Sequence, residues 1–146
     1  MLPITKATSK NQHGAFPPSN LIDSVAKTFY HTEGPSTFQP WVQLELQNEG
    51  IVHRVKITNR VDCCGERLHD LEVRVGNSEV TEQNQQGLSS NTLCGRFDGP
   101  GTKGEVVLID CSEPIPGKYI TLQIKLTTGV TMNIGEVQAF GTIACK

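Results

Sequence analysis

The sequence predicts an all-β domain, an antiparallel β-sandwich, on three observations. Its hydrophobic period is two rather than 3.6, its apolar runs are short and β-branched, and Gly, Pro and Asn clusters separate them. No stretch reads as an amphipathic helix. Six or more short strands with turn signals between them are the signature of a sandwich. A chain of 146 residues is sized for a single domain over 1–146, burying about 68% of its unfolded surface.

Taken in order, Val42, Leu44 and Leu46 alternate with Gln43, Glu45 and Gln47 as a half-buried strand. Val52, Val55 and Ile57, then Leu71, Val73 and Val75, repeat the pattern with basic residues between them. Val106-Val107-Leu108-Ile109 reads as a fully buried strand, Tyr119 to Leu126 alternates again, and Val137 to Ile143 closes the series. Residues 8 to 40 and 77 to 104 lack periodicity and read as long loops, the second with Gln83-Asn84-Gln85-Gln86 in a row. Loops of such length in a compact domain bind something or stay disordered. Nothing repeats and no linker divides the chain.

Composition narrows the function. Fifteen acidic against thirteen basic residues give a net charge of −2, which excludes a generic electrostatic grip on nucleic acid. No apolar run is long enough for membrane insertion. Met1-Leu2-Pro3-Ile4-Thr5 lacks the basic start and apolar stretch of a signal peptide, compatible with one unit of a longer protein. Catalytic signatures such as Gly-x-Ser-x-Gly, His-Glu-x-x-His and the P-loop are absent from the sequence, so no enzyme is expected.

Five cysteines in a soluble β domain favour an oxidising compartment. A bridge between Cys94 and Cys111 would close the polar segment between them and stabilise by about 3 kcal/mol. Cys145 is left over, as a free thiol, a partner for another chain or a mark of a longer protein. Cys63 and Cys64 are adjacent, and so small a ring forces strained backbone that persists only where the surroundings enforce it. No Cys-x-x-Cys or histidine spacing accompanies them, so metal binding is disfavoured. Two free thiols and an easily reduced redox pair both remain open at this point.

The surrounding residues decide between these readings. Asn59-Arg60-Val61-Asp62-Cys63-Cys64-Gly65-Glu66-Arg67-Leu68 resembles the Arg-x-Asp-Cys-Cys-x-Glu-Arg signature of the F-type lectins, or fucolectins. Ser19 to Asp23, Phe29-Tyr30-His31, Pro40-Trp41 and Gly135-Glu136-Val137 resemble further family elements, so the likeness spans most of the chain. It implies a discoidin-like jelly roll and a secreted lectin of cell recognition and innate immunity that binds terminal L-fucose on fucosylated glycans and glycoproteins. Arg60 and Arg67 would supply forks of donors to the sugar oxygens. A Cys63–Cys64 disulfide would give a rigid apolar floor for sugar C–H groups. Asp62 and Glu66 would orient the arginines, and Phe29, Tyr30 or His13 would wall the sugar methyl.

The sequence also departs from that pattern. The position of the family's sugar-binding histidine falls on Glu33, leaving His31 as the nearest substitute. The family's structural calcium implies ligands from Asn20, Asp23, Gly135 and Glu136, with the Val25 carbonyl and Ser24 or Glu33 oxygens, a hard oxygen set suited to Ca²⁺. A further family disulfide has lost both ends, one of them at Gly135. Modest single-site affinity makes a homo-oligomer or tandem repeat expected. The alternatives are an adhesion or protein-interaction module, favoured if Phe16, Phe38 and Phe97 lie exposed at loop tips, and a redox switch at Cys63-Cys64.

Overall fold

The computed structural model describes residues 1–10, 14–25, 27–32 and 37–143. Eight strands carry the described fold: β1 (Ile4–Ser9), β2 (Tyr30–His31), β3 (Trp41–Thr58), β4 (Leu71–Gly76), β5 (Thr92–Phe97), β6 (Val106–Ile124), β7 (Asn133–Ile134) and β8 (Glu136–Ile143). The described helices are one short α-helix, α1 (Gly87–Ser90), and 3₁₀ turns at Pro18–Ile22 and Gly65–Arg67. The expected all-β, antiparallel architecture is present.

Two long strands make both layers. The first part of β3 pairs β1 on one side, and its Trp41–Glu45 stretch pairs Tyr119 to Gln123 of β6 on the other. Beyond a register shift, β3 pairs the first half of β6 and, on its other side, β8. One layer is therefore ordered β1-β3-β6-β4-β5, and the second β8-β3-β6. The crossing point is at Gly50 opposite Gly117, and a Cβ on Gly117 would come within 2.7 Å of the Gly76 backbone. Only glycine allows that approach.

Inward positions of both layers share one core. Val42, Leu44, Val73, Val75, Ile120 and Leu122 from the first layer meet Val55, Ile57, Val107, Ile109, Val137 and Ala139 from the second. Trp41, Val80 and Leu88 form a small satellite cluster, roofed by the 77–90 segment, where Gln43 exchanges two hydrogen bonds with the Val80 backbone.

Three expectations are corrected. Val106-Val107-Leu108-Ile109 is half-buried, with Val106 51% and Leu108 50% exposed, because the second layer is covered on one face only. The loop regions contain strands: β1 and β2 lie partly or wholly within 8 to 40, and β5 lies within 77 to 104. Phe97 is consequently a strand residue packed against the core. Cys94 and Cys111 do bond, with Cα atoms 4.2 Å apart. They join β5 to β6, strands that share no ladder, and so staple the edge of one layer to the other.

Candidate functional site

The motif loop follows directly from β3. Asn59 is fully buried and satisfies three backbone groups: its Nδ2 donates to the Gly65 and Thr102 carbonyls, and its Oδ1 accepts from the Arg60 N–H. The 98–105 segment laces onto the same loop, with Gly101 N–H donating to Leu68 O and Gly104 N–H to Arg60 O. At buried Gly65 a Cβ would meet the Lys103 nitrogen at 2.5 Å, so glycine is required where the two segments touch. Cys63 and Cys64 are disulfide-bonded, 3.8 Å apart at Cα, and Cys64 takes φ 63°, a left-handed conformation uncommon outside glycine. The ring is only partly buried, with an arginine on each side of it in sequence.

Those arginines converge. Arg60 donates through Nε (2.6 Å) and Nη2 (3.2 Å) to the two Asp62 oxygens, and its guanidinium lies 3.8 Å from the centre of the Phe29 ring. The hydrogen bond from Arg60 holds the Asp62 carboxyl below the usual carboxylate range. Phe29 in turn stacks on Phe16 at 4.7 Å. Arg60 Nη1 and Arg67 Nη1 both donate to the Oδ1 of Asn133, at 3.0 and 3.2 Å. No carboxylate among the described residues pairs with Arg67.

The short β2–β7 ladder completes the cluster by setting His31 opposite Asn133. His31 Nδ1 is 2.7 Å from the Thr32 carbonyl, which can only accept, so the proton sits on Nδ1. In the neutral ring Nε2 is then an acceptor, and it faces Arg67 Nη1 at 3.5 Å. Arg60, Arg67, Cys63, Cys64, His31 and Phe29 thus gather at one end of the sandwich.

Tyr30 does not join them. Alternation along β2 turns it to the opposite side from His31, where it is 0% exposed and part of the core, and burial pushes its phenol above the ordinary tyrosine range. Glu66 is exposed and has no ion pair among the described residues, so Asp62 alone of the two acids orients an arginine. His13, Glu33 and Cys145 lie outside the described residues. Asn59 and Asn133 were missed from sequence. Asparagine beside a turn reads as turn chemistry, and a two-residue β7 is too short to show a period.

A second polar cluster lies where the 3₁₀ turn at Pro18–Ile22 meets the start of β8. Glu136 Oε2 accepts from the Ser24 N–H at 3.2 Å, while Oε1 is buried with no donor among the described residues. Burial pushes the Glu136 carboxyl up to about 7, the Ser24 N–H opposes this, and the adjacent Asp23 carboxylate adds to it. Asp23 Oδ1 accepts from the Val25 N–H at 2.9 Å. The Val25 carbonyl accepts from Thr28 Oγ1, and the Asn20 amide donates to Phe29 O at 3.0 Å. Gly135 fits against Thr58, its N–H donating to Thr58 O at 2.8 Å.

Residues 20–122 match a family of F5/F8 type C domains described as a NedA-like, galactose-binding domain. Fucolectin-4 of Anguilla japonica is 32% identical over 91% of this chain and 73% of its own length. This chain belongs to the F-type lectin family. A pentraxin fusion protein of Xenopus laevis is 37% identical over 64% of this chain, which spans 20% of that protein. The crystal structure of an F-lectin from striped bass (Morone saxatilis) serum superposes with a TM-score of 0.79 at 28% identity, over 93% of this chain and 46% of that one. As a member of this lectin family, the domain is a binding module rather than an enzyme. No helix among the described residues is long and apolar enough to cross a membrane.

Proposed function

We propose that this domain binds terminal L-fucose on glycans at the Arg60–Arg67 cluster. The observation that carries the reading is the convergence of two guanidinium groups on one buried oxygen beside a part-exposed vicinal disulfide. Each guanidinium has five N–H donors. Among the described residues Arg60 commits three of them to Asp62 and Asn133, which leaves two, and Arg67 has no partner there for its Nε or Nη2 protons. A donor-rich pocket suits a ligand with clustered hydroxyl and ring oxygens. The disulfide offers sulfur and Cβ surface to the sugar's C–H and methyl face, with no rotamer entropy to lose. Fucolectin relatives, and a solved neighbour in striped bass serum of the same kind, support fucose as the sugar.

Calcium belongs to the same reading. Two adjacent carboxylates, one with a buried oxygen that finds no donor, fit a divalent cation better than they fit each other. Asp23, Glu136 and the carbonyls of Asn20, Val25 and Gly135 would hold it. The ion would tie the start of β8 to the 3₁₀ turn and so steady Phe29, which leans on Arg60. Two disulfides suit secretion into an oxidising medium. Of the three phenylalanines an adhesion surface would use, only Phe38 is exposed, so the lectin reading is preferred.

Calorimetric titration with methyl α-L-fucoside in calcium buffer tests it. One saturable site per chain is expected, with a lower melting temperature after chelation. No heat with any fucoside would refute fucose binding, and a melting temperature indifferent to chelator would refute the ion.

A further inference from the structure

Asn133 is 0% exposed and lies far from the arginine motif in sequence, yet both motif arginines end on its Oδ1. The two guanidinium groups are otherwise held very unequally. Arg60 has a carboxylate on two of its nitrogens and an aromatic ring against its plane. Among the described residues the Arg67 side chain has only the Asn133 oxygen at 3.2 Å and the His31 nitrogen at 3.5 Å, the second at the limit of a hydrogen bond. Two like charges drawn to one neutral acceptor do not assemble by themselves, so the acceptor must be brought there by other forces.

The ladder supplies those forces. Tyr30 and Ile134 are paired and wholly buried, anchoring both strands in the core. Thr32 N–H donates to Met132 O at 3.1 Å, and Met132 N–H donates to Thr32 Oγ1 at 3.2 Å. The other half of the amide is equally telling: Asn133 Nδ2 is buried with no acceptor among the described residues. A buried donor left unsatisfied is costly, and the only gain visible for an amide here is its oxygen toward the arginines. Turning the amide over would set its N–H groups against two cations.

From this placement we propose that Asn133 is the positioning residue of the sugar site, fixing Arg67 relative to Arg60 so that their free N–H groups match one sugar ring. The ligand part of this inference rests on the fucose reading; the clamp itself does not. An apolar side chain of similar size, Asn133→Leu, removes the oxygen and keeps the volume. Asn133→Asp keeps the oxygen and discards the unpaired N–H.

The test combines fucoside titration with NMR of the arginine side chains in the ligand-free protein. Asn133→Leu is expected to weaken fucoside binding about tenfold or more and free the Arg67 guanidinium to rotate. Asn133→Asp should restore both to near the native values. A folded Asn133→Leu protein with native affinity and native Arg67 signals would overturn the proposal, as would an Asn133→Asp protein as impaired as Asn133→Leu. If Asn133→Leu fails to fold, the native protein still decides: slowed Arg67 rotation supports the clamp, and free rotation overturns it. If the native chain binds no fucoside, the fucose reading fails while the rotation measurement continues to judge the clamp.

Discussion

Asn59 shows how one side chain can hold a site it never presents. Its three hydrogen bonds close the motif loop onto the 98–105 segment, and each buried bond contributes on the order of 1 kcal/mol. Asn59→Ala is expected to lose about 2–4 kcal/mol, because the carbonyls of Gly65 and Thr102 are stranded as well. Thermal or urea unfolding measures this directly. Arg60, Arg67 and the cysteine pair were legible in the sequence because their spacing is itself a pattern. Asn59 and Asn133 were not: an asparagine beside a turn reads as turn chemistry, and Asn133 meets Arg60 and Arg67 from far away in sequence. Tyr30 was misplaced for a simpler reason, since neighbouring residues on a strand face opposite ways.

Among the elements, the central strands were readable and the edges were not. β3 and the second half of β6 carry apolar residues on their inner face at every second position. β1 is Ile-Thr-Lys-Ala-Thr-Ser, and β5 holds a glycine and an arginine. Such edge strands have little to bury, so their alternation is faint. β5 is fixed instead by pairing with β4, and part of that pairing is electrostatic. Glu72 on β4, nearly buried, accepts from Arg74 at 2.7 Å and Arg96 of β5 at 3.3 Å, with Lys125 at 3.2 Å. Burial alone would raise the Glu72 pKa, but the hydrogen bonds from Arg74 and Lys125 outweigh it, and the carboxyl titrates below its ordinary range. The folded chain therefore keeps Glu72 ionised at pH values where the unfolded chain has protonated it. That stabilisation is complete above about pH 4.3 and is lost as pH falls through the lower, folded value. Glu72→Gln should cost about 1–3 kcal/mol at pH 7. The gap from the native protein should narrow toward pH 3 in a series of unfolding curves.

For the whole molecule, two layers are built from two bent strands, and a covalent staple sits where their edges meet. Removing it with Cys94→Ala and Cys111→Ala together should lower stability by about 3 kcal/mol. Sugar affinity should stay within about threefold of native, because the arginine loop is organised by Asn59 and Asn133 rather than by that bridge. Denaturant unfolding beside a fucoside titration separates the two effects. The sandwich and the arginine loop could be read from the sequence, and the family resemblance set His31 with the arginines, but the place of Asn133 between them depends on the third dimension. The short β2–β7 ladder brings His31 to the arginines although its sequence spacing places it off the family's histidine position.

The most direct test of the sugar site is one calorimetric comparison, methyl α-L-fucoside titrated into native protein and into Arg67→Ala. Hydrogen bonds to a charged group contribute about 1.5–3 kcal/mol, so the variant should bind roughly 10- to 150-fold more weakly while unfolding at nearly the native temperature. An Arg67→Ala protein that binds the fucoside as tightly as the native chain would contradict the assignment of the sugar to this pocket.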